Sequence, residues 1–347
     1  MKFNFLKLFR CTSQFSSLLV LAFLDRLLGS LSLLCNRHLN FTQRPVLYND
    51  FHPSHFLNND CSDLGIVLQG PLTNPQFIVN TIRLYQNFVF PNSKIVVSTW
   101  NDESYQAIKL LLDLGVIVLL NKKPKNRGHA NINYQICSSR EGLKHKLLQS
   151  CKYLIKTRTD QRINSKNSYK YLTSLLKIYP FSMPSVLGRI IAISRNSFKY
   201  RIYGLSDMFY FGYNSDMIKL WDIPYDSRTA SDIQKYHYEH PNMNLYQYAR
   251  QCYSEVYIVV NYLQSLGITP LWSIAHSFEI ISRYFIVIDC ISVDLYWNKY
   301  NNRENIWLDY TSDYFINSEY SHLDWLLGVN QLLHSSEDDT VIHKSLS

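Results

Sequence analysis

The run Lys152-Tyr153-Leu154-Ile155-Lys156-Thr157-Arg158-Thr159-Asp160 reads as a buried strand that stops abruptly on an acid. A second such run, Ile66-Val67-Leu68, stands upstream and ends in Gln69-Gly70-Pro71. Open α/β sheets bind ligands beyond the carboxyl ends of their strands. Two strands that break into polar loops therefore point to such a sheet, with a crevice along that edge. The intervening order supports this. Asn74 is placed as an N-cap with Pro75 at the first helical position, and Phe77, Ile78, Thr81, Ile82, Tyr85 and Phe88 recur at helical spacing. A strand over 94–100 follows, with Asn101-Asp102-Glu103 at its end. A helix carrying Ile108, Leu111 and Leu112 then stops at Gly115, and residues 116–120 form a further strand.

That strand leads into a basic loop, Asn121-Lys122-Lys123-Pro124-Lys125-Asn126-Arg127-Gly128-His129, which opens a helix through Asn133 to Leu143. Cations beside a helix amino terminus suit a diphosphate, because free amides and the helix dipole both favour anions. The strand ending at Asp160 delivers Arg158 and Asp160 to the same edge. Gln69, Gly70, Pro71, Asp102, Arg127, Asn133, Arg158 and Asp160 are thus the expected donor-side residues, with Asp102 placed to meet a base or ribose.

Composition narrows the classes. Hydrophobic residues make up 46% and charged residues 18%, which marks a globular chain. The formal charge of +8 suits an anionic membrane surface, a phosphorylated substrate or nucleic acid. There is no Lys/Arg run, zinc-finger spacing or RRM-like aromatic motif, so no nucleic acid is expected. Seven scattered cysteines without a CxxC pair argue against a disulfide framework or structural zinc and fit a reducing, cytoplasmic compartment. No G-x-S-x-G elbow and no P-loop occurs. At the amino end, Lys2, Lys7 and Arg10 precede an apolar stretch that Asp25-Arg26 cuts short of a membrane span. Leu27-Leu28, Leu31 and Leu33-Leu34 continue it as an amphipathic helix. Its apolar face docks either on the inner face of the cytoplasmic membrane or on the rest of the protein.

The segment Asn126-Arg127-Gly128-His129-Ala130-Asn131-Ile132-Asn133, followed by a strand ending Arg158-Thr159-Asp160, resembles GT-A glycosyltransferases. More narrowly, Gln69-Gly70-Pro71, Ser98-Thr99-Trp100 and Lys156-Thr157-Arg158-Thr159-Asp160, in that order, resemble the WavE lipopolysaccharide-synthesis family over residues 63–290. The resemblance implies a Rossmann-type nucleotide-binding sheet with flanking helices. It also implies sugar transfer from a nucleotide-sugar donor to a glycan or lipid-linked glycan in surface polysaccharide synthesis.

In the GT-A pattern the last acid of D-x-D binds Mg²⁺ or Mn²⁺ on the donor. Here that acid is Asp160, while Arg158 replaces the first acid and is an alternative partner for the diphosphate. His276 is where some members add a metal ligand from the C-terminal part. Asp207, in the expected strand 206–212, becomes an acceptor ligand. Ser254 is placed as an N-cap, which leaves Glu255 in a first helical turn, where such enzymes carry the base of an inverting transfer; Asp207 is the reserve base.

The expected organisation is an amphipathic segment and linker over 1–60, a catalytic domain over 61–290 and a helical cap and tail over 291–347. The donor half of the domain covers 61–165 and the acceptor half 166–290. Two other readings stand beside this one. One is a phosphosugar or nucleotidyl transferase, which Gln69-Gly70-Pro71 disfavours because it is no glycine-rich phosphate loop. The other is a non-catalytic carbohydrate- or membrane-binding module that uses the 26 tyrosines and the basic surface.

Overall fold

The computed structural model describes residues 22–34, 60–300 and 318–332. Residues 1–21 of the expected amphipathic segment, the linker up to residue 59 and the tail beyond 332 lie outside the described residues. The chain divides into two compact units, Met1–Asp50 and Phe51–Ser347. In the first, helix α1 covers 22–34 and exposes Phe23, Leu33 and Leu34. No described helix is long and apolar enough to cross a membrane.

The second unit is built on a seven-stranded sheet in the order β3-β2-β1-β4-β7-β6-β8. Its strands are β1 (Leu64–Gln69), β2 (Lys94–Trp100), β3 (Ile117–Asn121), β4 (Tyr153–Arg158), β6 (Ile190–Ile193), β7 (Tyr210–Tyr213) and β8 (Phe285–Ile288). Neighbours pair in parallel except β7, which runs antiparallel to β4 and β6. The central strands β1 and β4 are buried almost throughout, as expected where helices cover both faces of a parallel sheet. This is the mixed α/β architecture that the alternation of apolar runs and helical spacing predicts.

Helices α2 (Pro75–Leu84), α3 (Tyr105–Leu112) and α4 (Ile132–Leu143) connect the first strands. The Asn74 cap forms as expected, its Oδ1 accepting from Phe77 N at 3.1 Å. Beyond α2 the chain makes a π-turn over Tyr85–Val89 before β2. Helix α4 packs across β1 and β2. Gly142 permits that close approach, because a Cβ there would lie 2.6 Å from Val67 Cγ1.

The chain returns from β3 through α4 to place β4 on the far side of β1. The strand order therefore reverses between β1 and β4, the topological switch point at which open α/β sheets take ligands. A small second sheet, β5 (Gln161–Ile163) with β9 (Leu295–Trp297), covers the end of β4. The remaining helices of this unit before residue 290 are α5 (Ser168–Ile178), α6 (Asn214–Trp221), α7 (Ala230–Glu239), α8 (Leu245–Arg250), α9 (Ser254–Ser265) and α10 (Ile274–Tyr284). Helix α11, over 322–332, docks on the β8 edge, where Trp325 Nε1 donates to the Phe285 carbonyl at 2.7 Å.

Candidate functional site

The carboxyl ends of β1 and β4 meet at the switch point, with Gln69 in register with Arg158. Gln69 is buried, and its Oε1 accepts from Ser138 Oγ of α4 at 2.7 Å. Gly70 sits at φ +124°, a conformation few other residues adopt, and a Cβ there would stand 3.0 Å from Thr159 Oγ1. That hydroxyl donates to the Pro71 carbonyl at 2.8 Å, so the Gln69-Gly70-Pro71 turn is laced to the end of β4. Glu103 closes the other side, its Oε1 accepting from Leu72 N and Thr99 Oγ1 at 3.0 Å each. The neighbouring Asp102 is exposed and pairs with Lys123 at 2.6 Å, which holds its carboxyl below the ordinary range. Of the two acids after β2, the one that ties the Gln69-Gly70-Pro71 turn to the end of β2 is Glu103.

Arg158 and Asp160 form a bidentate pair, Nε to Oδ1 and Nη2 to Oδ2, both at 2.9 Å. Trp297 Nε1 adds a third bond to Oδ2 at 3.1 Å from β9. Burial alone would raise the Asp160 carboxyl, but Arg158, Trp297 and Lys299 together carry it below the ordinary carboxylate value. These residues do not fit a bound divalent cation as they stand. Both oxygens of the one carboxylate are occupied by donors. Among the described residues no group of three His, Cys, Asp or Glu side chains could hold an ion. His276 is turned to another task, its Nδ1 lying 2.6 Å from Tyr203 Oη.

The basic loop exposes Lys122, Lys123, Lys125 and Arg127, of which Lys123 is paired with Asp102. Its other predicted member, Asn133, is buried. The Asn133 side chain donates to the carbonyls of Asn126 and Asp226 and accepts from Asp226 N at 2.6 Å. Asp226 is the hub of this arrangement. Its carboxylate accepts from His129 N at 3.0 Å and from Arg228 Nε and Nη2 at 2.8 Å each. Burial would raise that carboxyl, yet the Arg228 hydrogen bonds and the two backbone amides pull it below its ordinary value. An internal carboxylate thus takes part of the anion-binding capacity at the start of α4.

A second constellation stands beside β4. Antiparallel pairing sets Lys156 opposite Tyr210, which carries the segment just before β7 to the carboxyl edge. Asp207 lies in that segment, a buried turn rather than the strand the sequence predicts. Lys156 is wholly buried, with its Nζ donating to the Asp207 carbonyl and lying 4.6 Å from the centre of the Trp221 ring. Burial pushes its amine down to about 7 against the attraction of Asp207. Glu255 occupies the first turn of α9, whose cap is Tyr253 rather than the expected Ser254. Its Oε1 lies 3.4 Å from Arg201 Nη1. Burial and the Asp207 charge push the Glu255 carboxyl up to about 7, with Arg201 opposing. The two predicted acids thus share one electrostatic environment.

Arg201, Asp226 and Trp297 escaped the sequence reading, and Lys156, though part of the quoted motif, was given no role there. Lys156 alone left a trace, a lysine in the middle of an otherwise buried strand, where lone charges are rare.

Among solved structures, the chain is similar to the mannosyltransferase PcManGT from Pyrobaculum calidifontis in complex with GDP-Man and Mn²⁺. The identity is 9% over 59% of this chain and 74% of that one, with a TM-score of 0.31. It is also similar to mouse xyloside xylosyltransferase 1 in its apo form, at 8% identity over 68% of this chain and 97% of that one, with a TM-score of 0.35. A third similar structure is the mannose-1-phosphate geranyltransferase from Thermus thermophilus, at 11% identity over 59% and 68% of the two chains and a TM-score of 0.29. No curated protein sequence matches the chain. The family profile described as WavE lipopolysaccharide synthesis matches residues 64–329.

Proposed function

The chain belongs to the WavE lipopolysaccharide-synthesis family, and from that premise we propose that it is an inverting glycosyltransferase. It moves a sugar from a nucleotide-sugar donor to a glycan or lipid-linked glycan. The observation that carries the reading is Glu255, a carboxyl 17% exposed that pairs with Arg201 and is raised to about 7 by burial and by Asp207. A general base works best when its pKa lies near the working pH, and perturbed carboxyls concentrate at reactive sites.

In this scheme the donor diphosphate rests at the β1–β4 switch point, and Arg158 with the cations of the basic loop offsets its charge. Glu255 takes the proton from the acceptor hydroxyl as that oxygen attacks the anomeric carbon from the face opposite the leaving group. The bond to the phosphate breaks, and the nucleoside phosphate departs with the bonding pair. No step is routed through a metal ion, because Arg158 and Trp297 already occupy the Asp160 oxygens.

The test is thermal stabilisation by UDP, GDP, CMP and ADP, each with and without Mn²⁺. One nucleotide is expected to raise the melting temperature, with a gain of about 2.7 kcal/mol at a hundred times its Kd. The shift should be the same in both series. A shift that needs Mn²⁺ would mean that Arg158 gives up Asp160 on donor binding. No shift with any nucleotide, on folded protein, would favour a carbohydrate-binding module instead.

Membrane docking through α1 belongs to the same proposal, on the strength of its exposed Phe23, Leu33 and Leu34. The full chain is expected to float with liposomes containing anionic lipid, and a chain lacking residues 1–50 is not. Equal flotation of both would remove α1 from that role.

A further inference from the structure

Arg250 ends α8 and is exposed, yet it is held on two sides. Its guanidinium carbon lies 5.4 Å from the centre of the Tyr246 ring and 5.1 Å from that of Trp272, and Nη1 donates to Tyr246 Oη at 2.9 Å. Among the described residues no carboxylate pairs with it. A last-turn arginine gains a little from the helix dipole, but the dipole does not account for two rings stacked about it.

Trp272 is itself fixed. Its backbone takes φ +54°, and Tyr203 behind it takes φ +59°. Such conformations cost non-glycine residues on the order of 1–3 kcal/mol each and persist where the surroundings over-determine them. Here Trp272 N donates to Tyr203 Oη at 3.1 Å, and the two rings meet edge to face at 5.6 Å. Two routes connect this stack to Glu255. Tyr203 lies two residues from Arg201, in a turn closed by Gly204 N donating to the Arg201 carbonyl at 2.7 Å. Tyr248 of α8 lies 5.9 Å from the Arg201 guanidinium, and Arg201 reaches Glu255.

An aromatic face suits the apolar face of a sugar ring. A planar guanidinium with open N–H groups suits a carboxylate or a phosphate, which it grips bidentately. We propose that Tyr246, Arg250 and Trp272 form the acceptor subsite and that it selects a glycan bearing an anionic sugar. The inference rests on Glu255 as the acceptor base, since that is what makes its neighbourhood the acceptor side.

The experiment uses the full chain and three probes: trigalacturonate for a sugar carboxylate, mannose 6-phosphate for a sugar phosphate, and maltotriose as the neutral control. Binding is read by tryptophan fluorescence and by saturation-transfer NMR. One of the two acidic probes is expected to bind more tightly than maltotriose, and which one wins names the acid. Arg250→Gln should weaken that binding about ten-fold or more, as expected for loss of a charge-assisted pair. Arg250→Lys should restore only part of it, because the charge returns without the planar fork. Trp272→Leu should abolish it, but the strained backbone there risks misfolding, so exposed Arg250 carries the test.

Nucleotide stabilisation is measured on every variant. Maltotriose binding as tightly as the acids, equal binding to wild type and Arg250→Gln, or no binding by any probe would each overturn the subsite, even with a functioning donor site. Loss of acidic-sugar binding in Arg250→Gln without any nucleotide response would keep the subsite and overturn the transferase reading.

Discussion

Glu255→Gln is expected to lower sugar transfer by about three orders of magnitude, in the middle of the range for a lost general base. Stabilisation by the donor nucleotide should survive if, as proposed, Glu255 serves the acceptor. The wild-type rate should fall as the pH drops through about 7, where burial and Asp207 place the Glu255 carboxyl. Below that point the carboxyl is protonated and cannot accept the acceptor's proton. Asp207 and Arg201 both act on that carboxyl, so the limb belongs to the cluster rather than to one group.

Stability gives an independent reading of the same raised carboxyl, with the opposite dependence on pH. A carboxyl raised from its ordinary 4.5 to about 7 contributes stability that is complete below 4.5 and gone above 7. Glutamine has no such dependence. The variant should therefore gain on the wild type as pH rises between those values, by on the order of 3 kcal/mol. Turnover with the donor identified by thermal shift, together with melting curves across this range, checks both statements. Undiminished turnover in Glu255→Gln would move the base role to Asp207, and Asp207→Asn would then carry the larger loss.

Asp226→Ala is expected to cost about 3–5 kcal/mol, the usual result of removing one partner from a buried ion pair. Asp226 is 2% exposed and neutralises Arg228 while accepting the His129 amide. Its loss strands a half-buried guanidinium and unties the His129 amide of the basic loop from the segment around Arg228. The carboxyl lies below its ordinary value of 3.8. The contribution is therefore present above 3.8 and lost as pH falls through the lower folded value, so the variant's stability should vary less in acid. Replacing both partners, Asp226→Leu with Arg228→Met, should cost less than the single change, because no charge is then left unpaired. Denaturant melts of the three variants test this. An Asp226→Ala protein that melts with the wild type would show that the hub is dispensable.

The parts of the site legible from sequence are those set by local patterning. β1, β2 and β4 announced themselves as apolar runs that stop at polar residues. Their shared direction then put Gln69, Gly70, Pro71, Arg158 and Asp160 on one edge. The parts that were not legible arise from contacts between distant segments. Nothing near Asp160 forecasts that Trp297 would cover its carboxylate. Nothing near Asn133 forecasts that the backbone of Asp226, more than ninety residues away, would bind its side chain into an anchor instead of leaving it free for a ligand. The strand expected at 206–212 begins only at Tyr210, because the preceding turn is satisfied by Lys156 and by Ser197 rather than by a sheet neighbour.

Sequence by itself determined the class of sheet and the edge at which Gln69, Arg158 and Asp160 meet, and offered Asp160, Asp207 and Glu255 as candidate acids, because strand period, helix spacing and chain direction are local properties. Only the tertiary structure decided the electrostatic state of those acids. Whether a carboxylate is paired, as Asp160 is with Arg158, or pushed toward neutrality, as Glu255 is beside Asp207, depends on burial and on charges that folding brings in from elsewhere.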